Sequence, residues 1–242
     1  MRNLFERVIQ EYSRKREDTI NNQILTSEPK KNESISKLID DTLQSGHTVW
    51  VMTDCHFIRY DKSTKKISPI ENVDKIIEKC REKIHHDDLL IYLGDLCDGE
   101  VEQKETLSHY INSIPGIKIL VRGNNDLFPD KWYLTHGFKY VVPKFIWNDI
   151  LFSHRPQDND CRFNIHGHIH SSKGHVRYYA SEIMKYRNQM DAAYFGARET
   201  PIELKWLIDQ FDTYKSDVNY VNHPWKDDPI VSTVLHEKDG GA

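Results

Sequence analysis

Apolar residues return at helical spacing twice near the start of the chain, at Leu4, Val8, Ile9 and Tyr12 and again at Ile35, Leu38, Ile39 and Leu43. Each set lines one face of a helix. The polar stretch TSEPKKNE between them reads as a loop. From His47 the period changes. TVWVMTD, DLLIYLGD and IKILVRGNND are short runs rich in β-branched and apolar residues, and the amphipathic segments ENVDKIIEKCREKI and VEQKETLSHYINSI fall between them. This βαβαβ order predicts three parallel strands in one sheet, because a parallel pair needs a crossover helix.

Beyond it, FKYVVPKFIWNDILFSH and CRFNIHGHIH hold strands joined by short turns, with Asn148-Asp149 as a hairpin turn. A last helix is predicted over ETPIELKWLIDQF, with Pro201 in its first turn, where a missing N–H is tolerated. The organisation that follows is a helical extension over 1–46, a main domain over 47–211 and a partly ordered tail over 212–242, for which Tyr214, Tyr220 and Trp225 offer anchors.

Composition narrows the class. A chain of 242 residues with 38% hydrophobic content can build one sizeable core. Its 33 Lys and Arg against 37 Asp and Glu give a net charge of -4, which excludes a grip on nucleic acid by bulk positive charge and leaves room for a local basic groove. The start, MRNLFERVIQEYSRKRED, spreads its charges and lacks the apolar stretch of a secretory signal, and no run approaches the roughly 18 apolar residues of a membrane span. Cys55, Cys80, Cys97 and Cys161 are too few and too irregular for a disulfide framework. A reduced, cytoplasmic protein with no membrane partner is expected.

The chemistry sits where the strands stop. TVWVMT runs into Asp54-Cys55-His56, LLIYL into Gly94-Asp95, ILV into Gly123-Asn124-Asn125-Asp126, ILF into Ser153-His154, and FNI into His166-Gly167-His168-Ile169-His170. The C-terminal ends of neighbouring parallel strands line a common crevice. Residues two apart in an extended segment share a side, so Asp54 with His56, and His168 with His170, are each expected to aim two ligands at one point. Gly94, Gly123 and Gly167 stand where a chain turns sharply or lets a metal or phosphate approach the backbone. Carboxylates, imidazoles and an amide oxygen together suit Mn, Fe, Zn, Co or Ni. Any one of these clusters reads as a cap, a turn or a core histidine; five in succession after β-runs do not.

The series D-x-H, GD-x-x-D, GN-x-D, an isolated His and GH-x-H resembles the calcineurin-like metallophosphoesterases from Thr48 to about His170, half of the chain. NQMDAAY and TPIELKWLI look like small bacterial and phage members of that family, though this match is weaker. The resemblance implies an α/β fold with a central β-sandwich flanked by helices, four layers in the order α/β/β/α, and metals at the strand ends on one rim. It also implies two divalent transition-metal ions, manganese first, bridged by Asp95. Asp54, His56 and His170 would complete one site, and Asn124, His154 and His168 the other. Asp98 would orient a ligand from behind. The implied reaction is hydrolysis of a phosphoester by a hydroxide held between the two metals.

Asn125 departs from the family pattern, which has a histidine there, paired with the Asp that follows, here Asp126. Asparagine donates a hydrogen bond but is no general acid near neutral pH, and losing that step removes roughly a factor of 100 to 10,000 for a poor leaving group. A phosphodiesterase is therefore expected over a phosphomonoesterase. Asn125, Asp126 and Arg155 are the catalytic candidates, Arg155 as a two-pronged donor to a substrate phosphate. His166 reads as core, and His175, in a loop rich in Ser and Gly, is a disfavoured candidate for the missing acid. The alternatives are a phosphomonoesterase, a scaffold that has lost its chemistry, and a nuclease subunit docked through the N-terminal helices or the tail. Seven competent ligand positions weigh against the scaffold. A nucleotide or nucleic acid is among the expected substrates, with the loops FIRYDKSTKKISP, GEVEQKE, FPDKWYLTHG and RPQDNDCR walling the pocket.

Overall fold

The computed structural model describes residues 29–61, 66–98, 103–157, 159–169 and 188–216. The helix predicted from Leu4 to Tyr12 and the tail beyond 216 lie outside them. The first described helix, α1 (Pro29–Gln44), begins inside the predicted TSEPKKNE loop. Pro29 opens it, in the turn where proline's missing N–H has no helical partner to lose.

The predicted alternation then appears as β1 (Val49–Met52), a hairpin of β2 (Ile58–Asp61) and β3 (Lys66–Pro69), α2 (Val73–Lys83), β4 (Leu89–Tyr92), α3 (Lys104–Ser113) and β5 (Ile117–Val121). A short α4 (Asp130–Thr135) and β6 (Tyr140–Val142) follow. One sheet has the order β6, β5, β4, β1, all parallel, and is closed at its far edge by an antiparallel β11 (Ile202–Glu203) beside β1. A second sheet sets β7 (Lys144–Trp147) antiparallel to β8 (Ile150–Ser153), which runs parallel to β9 (Phe163–His166) and that to β10 (Gln189–Asp191). Asn148 and Asp149 form the β7–β8 turn with φ of 47° and 60°, the left-handed pair that a tight hairpin requires and that Asn and Asp tolerate.

Alternate residues of the first sheet serve different cores, as period-two side chains must. Val49, Val51, Leu89, Ile91, Ile119 and Val121 join Phe145, Ile150, Phe152, Phe163 and Ile165 of the second sheet in one cluster. Trp50, Met52, Leu90, Tyr92 and Leu120 turn the other way, onto Ile76, Ile77 and Cys80 of α2 and Leu107 and Ile111 of α3. The protein is thus a mixed α/β fold of two sheets flanked by helices. No described helix is long and apolar enough to cross a membrane.

Three local predictions change. Pro201 precedes a strand, not a helix: Glu203 pairs with Trp50, so the last helix, α5 (Leu204–Ser216), starts late and runs past Phe211. The supposed loop FIRYDKSTKKISP contains the β2–β3 hairpin, and FPDKWYLTHG contains α4, whose six residues are too few to show a periodic pattern.

Helix α1 is built into the sandwich. Ile35 and Ile39 are fully buried in the inter-sheet core. Asn32 meets the exposed edge of β7 as a strand would, its Nδ2 donating to the Ile146 carbonyl at 3.0 Å and its Oδ1 accepting the Ile146 N–H at 2.7 Å, which covers an edge otherwise open to pairing. We expect Ile39→Ala to cost about 2 to 5 kcal/mol, measured by urea unfolding. A loss below about 1 kcal/mol would mean that the helix is an appendage and not part of the core.

Candidate metal centre

The ends of β1, β4 and β5 in the first sheet meet those of β8 and β9 in the second along one rim, and six of the seven expected ligands stand there. His154 Nε2 lies 3.1 Å from Asn124 Oδ1, 3.2 Å from His168 Nδ1 and 3.5 Å from Asp95 Oδ2. On the other side of Asp95, His56 Nε2 is 3.7 Å from the same Oδ2, and the donors of Asp54, His56 and Asp95 all fall within 4.8 Å of one another. Two ligands at right angles, each about 2.1 Å from an ion, are about 3 Å apart. The separations therefore fit two cation sites that share Asp95. His170 and His175 lie outside the described residues.

The ligands converge by a different route from the one expected of extended segments. Asp54, His56, Asp95 and His168 have φ of 50°, 42°, 56° and 69°, all in the left-handed region. Such a conformation costs a non-glycine residue of order 1 to 3 kcal/mol and persists only where its surroundings enforce it. Here they do. The Asp54 N–H donates to the Gly94 carbonyl at 2.9 Å, the His56 N–H to the Asp95 carbonyl at 3.0 Å, and the His168 N–H to Asp54 Oδ2 at 2.9 Å.

The glycines make these approaches possible. A Cβ on Gly94 would run into the backbone of Gly123, one on Gly123 into Asp95, and one on Gly167 into Thr53 Oγ1 and Asp54 Oδ2. Only Gly94 also needs a positive φ, of 87°. Their neighbours are thus the ligand carboxylates and one another, which the sequence could not specify.

Each imidazole is oriented from behind. His56 Nδ1 sits 2.5 Å from Asp98 Oδ1, the place expected for Asp98, and His154 Nδ1 donates to the Leu93 carbonyl at 2.7 Å. Both pairings turn Nε2 toward the centre. Thr53, which the sequence reading overlooked, donates from Oγ1 to Asp54 Oδ2 at 2.6 Å; its position immediately before the ligand was the available signal.

The three catalytic candidates occupy different places. Arg155 Nη2 is 3.3 Å from Asn124 Oδ1, at the centre itself. Asn125 donates twice to Asp95, from its N–H to Oδ1 at 2.9 Å and from Nδ2 to Oδ2 at 2.8 Å. Asp126 is buried beneath, its carboxylate accepting the N–H groups of Gly123 at 2.7 Å, Asp95 at 2.9 Å and Leu96 at 3.0 Å. These contacts make Asp126 a positioning residue. Arg122, also overlooked, braces the same loop through the carbonyls of Asp126 and Phe128 and the Asp130 carboxylate. His166 is core, as read, and burial holds its pKa down near 4.

Charge in the centre is arranged to be displaced by cations. Burial opposes the charge of Asp95, yet the neighbouring His154 and His56 and the Asn125 N–H hold its carboxyl below the usual carboxylate range. Burial likewise pulls His154 down, but the Asp95 carboxylate outweighs it and raises the imidazole to about 9. Burial and then the His154 charge push His168 down to about 3. These shifts favour a doubly protonated His154 at neutral pH, with the added proton on Nε2 where an ion would bind, beside a neutral His168 with a lone pair to donate.

His154 therefore stabilises the metal-free fold fully below its unfolded pKa of 6.5, and that contribution is lost as pH rises through about 9. NMR titration of metal-free protein should place the His154 midpoint near 9, and Asp95→Asn should bring it down; a wild-type midpoint at or below 6.5 would break the assigned Asp95–His154 pairing. Gly167→Ala should displace Asp54 and weaken metal binding by roughly 10- to 100-fold, the range for disturbed ligand support, read by calorimetric titration with Mn²⁺. Unchanged affinity would remove Asp54 from the ligand set.

The geometry can be set beside known proteins. Among solved structures, a protein of unknown function from Aquifex aeolicus is similar at 22% identity and a TM-score of 0.50, covering 68% of this chain and 98% of that one, a likeness of fold alone. The Pseudomonas putida nuclease MPE is 17% identical with a TM-score of 0.36, covering 52% of this chain and 62% of that one, too slight a likeness to build on. None of the curated proteins compared with the chain matches it. The family model described as calcineurin-like phosphoesterase matches residues 47–236, well over half of the sequence and all of the described centre. The chain belongs to the calcineurin-like phosphoesterase family.

Proposed function

We propose that the protein is a metal-dependent phosphodiesterase. The observation that carries this reading is the placement of Asn125, whose backbone N–H and side-chain Nδ2 both donate to Asp95. The residue steadies the shared ligand and offers no proton near neutral pH to a departing oxygen. Esters whose leaving group departs without a proton are favoured by such a site. A diester, carrying one negative charge fewer than a monoester dianion, is also the easier target for an anionic nucleophile.

Asp54, His56 and Asp95 would hold one divalent ion and Asp95, Asn124, His154 and His168 the second, with His170 expected to complete the first set. Manganese is our first choice for the pair, which would supply an activated water at neutral pH and offset phosphoryl charge. The chain's own contribution is orientation and exclusion. Asp98 and the Leu93 carbonyl fix two imidazoles, Asp54 and His154 are almost wholly buried, and the guanidinium of Arg155 stands at Asn124 to meet one phosphoryl oxygen.

The test is hydrolysis of bis-p-nitrophenyl phosphate against p-nitrophenyl phosphate by metal-stripped protein resupplied with Mn²⁺. The diester should be turned over faster, and Asp95→Asn should lower that rate by on the order of a hundredfold or more, since a shared ligand underlies several kcal/mol of transition-state stabilisation. Preference for the monoester would make the protein a phosphatase. Metal binding without turnover of either ester would leave a scaffold.

A further inference from the structure

We propose that a cavity on the main-chain side of Asp54 is a phosphate subsite, which takes a phosphate of the substrate other than the one attacked. This rests on the phosphodiesterase reading and deepens it, because it makes the substrate a diester that carries a further phosphate, as the end of a nucleic acid strand does.

The cavity has a volume of about 190 Å³ and is lined by Asp54, Cys55, Arg59, Ile70, Asn72, Ile76, Arg198 and Glu199. Of the described residues at the metal centre, Asp54 alone reaches it. Asp54 turns its Oδ2 toward Thr53 and His168, while its carbonyl oxygen accepts from Arg198 Nε at 3.3 Å. The cavity and the metal centre therefore share one residue and lie on its two sides, close enough for one extended substrate to reach both.

Its charges suit an anion. Arg198 is fixed through Nε, which leaves the two terminal guanidinium nitrogens as a fork for paired oxygens. The Arg59 guanidinium has no hydrogen-bond or ion-pair partner among the described residues, although its backbone stands on β2, which pairs in register with β3. The lining brings the guanidiniums of Arg198 and the exposed Arg59 beside two carboxylates, that of Glu199, which is exposed, and that of Asp54, whose Oδ2 is already taken by Thr53 Oγ1 and the His168 N–H. Ile76, nearly fully buried, gives the cavity an apolar wall that strengthens charge pairing inside it. The Asn72 amide, which makes no hydrogen bond to the α2 N-terminus, is a further donor on the wall.

Inorganic phosphate titrated by calorimetry into the metal-free full chain tests the cavity without any catalytic step. Saturable binding is expected, weakened about 10- to 100-fold by Arg59→Gln and by Arg198→Gln, the loss of a charge-assisted hydrogen bond, and partly restored by Arg59→Lys. Arg59→Gln guards against misfolding, because Arg59 holds no described neighbour in place. No binding, or binding that both variants leave unchanged, overturns the proposal. The source of the phosphate is read from a dithymidylate with and without a terminal phosphate, hydrolysed by the Mn²⁺-loaded protein. A terminal phosphate should lower KM in the wild type, and Arg59→Gln should erase that difference. An equal KM for the two substrates, with phosphate binding intact, would make this a site for free phosphate and overturn its assignment to substrate. Failure of bis-p-nitrophenyl phosphate hydrolysis would remove the phosphodiesterase reading and the diester assignment with it, whereas phosphate binding in the cavity is judged by the calorimetric result, which does not depend on turnover.

Discussion

Asp126 clasps two strand ends together, and the metal centre depends on that clasp. Its carboxylate takes the N–H groups of Asp95 and Leu96 after β4 and of Gly123 after β5. A buried carboxylate with three donors is held far more firmly than a surface loop could be. The clasp works only because Gly94 and Gly123 lie backbone to backbone, with no room for a side chain on either. Asp95 is thereby presented between the two groups of ligands, and Asn125, one residue before Asp126, is brought onto its oxygens.

Around this point the protein gathers unlike charges that partly neutralise one another. His154 and Asp95 form the central pair, His168 stays neutral, and Asp98 and Leu93 meet the outward nitrogens of His56 and His154. An isolated buried charge would be costly, and here each has a partner at hydrogen-bond or ion-pair distance. The left-handed backbone of four ligands adds strain, which the surrounding hydrogen bonds over-determine. Such a centre is preorganised for cations before any arrive.

The two sheets matter for the same reason. Asp54, Asp95 and Asn124 come from strand ends of the first sheet and His154 and His168 from those of the second, so neither sheet alone could assemble the centre. Their relative position is set by the shared core, in which Phe145 and Phe152 stack at 4.5 Å and α1 inserts Ile35 and Ile39. Packing remote from the chemistry thus controls the spacing between donors, and interiors this dense transmit small displacements.

The sequence by itself determined the kinds of donor, their order and the strands that carry them. Period-two and helical patterns gave β1, α2, β4, α3 and β5, and the polar residues after each β-run named the candidate ligands, because both signals are local. The absence of histidine at Asn125 was equally plain. Only the tertiary structure decided what each residue faces: that Asp126 and Asn125 support the backbone and Asp95, that Gly167 makes room for Asp54, and that Arg59 and Arg198 share a cavity. Those relations join residues as much as 140 or so positions apart. They are fixed by steric contact between glycines, left-handed turns and two packed sheets, none of which leaves a periodic trace in the chain.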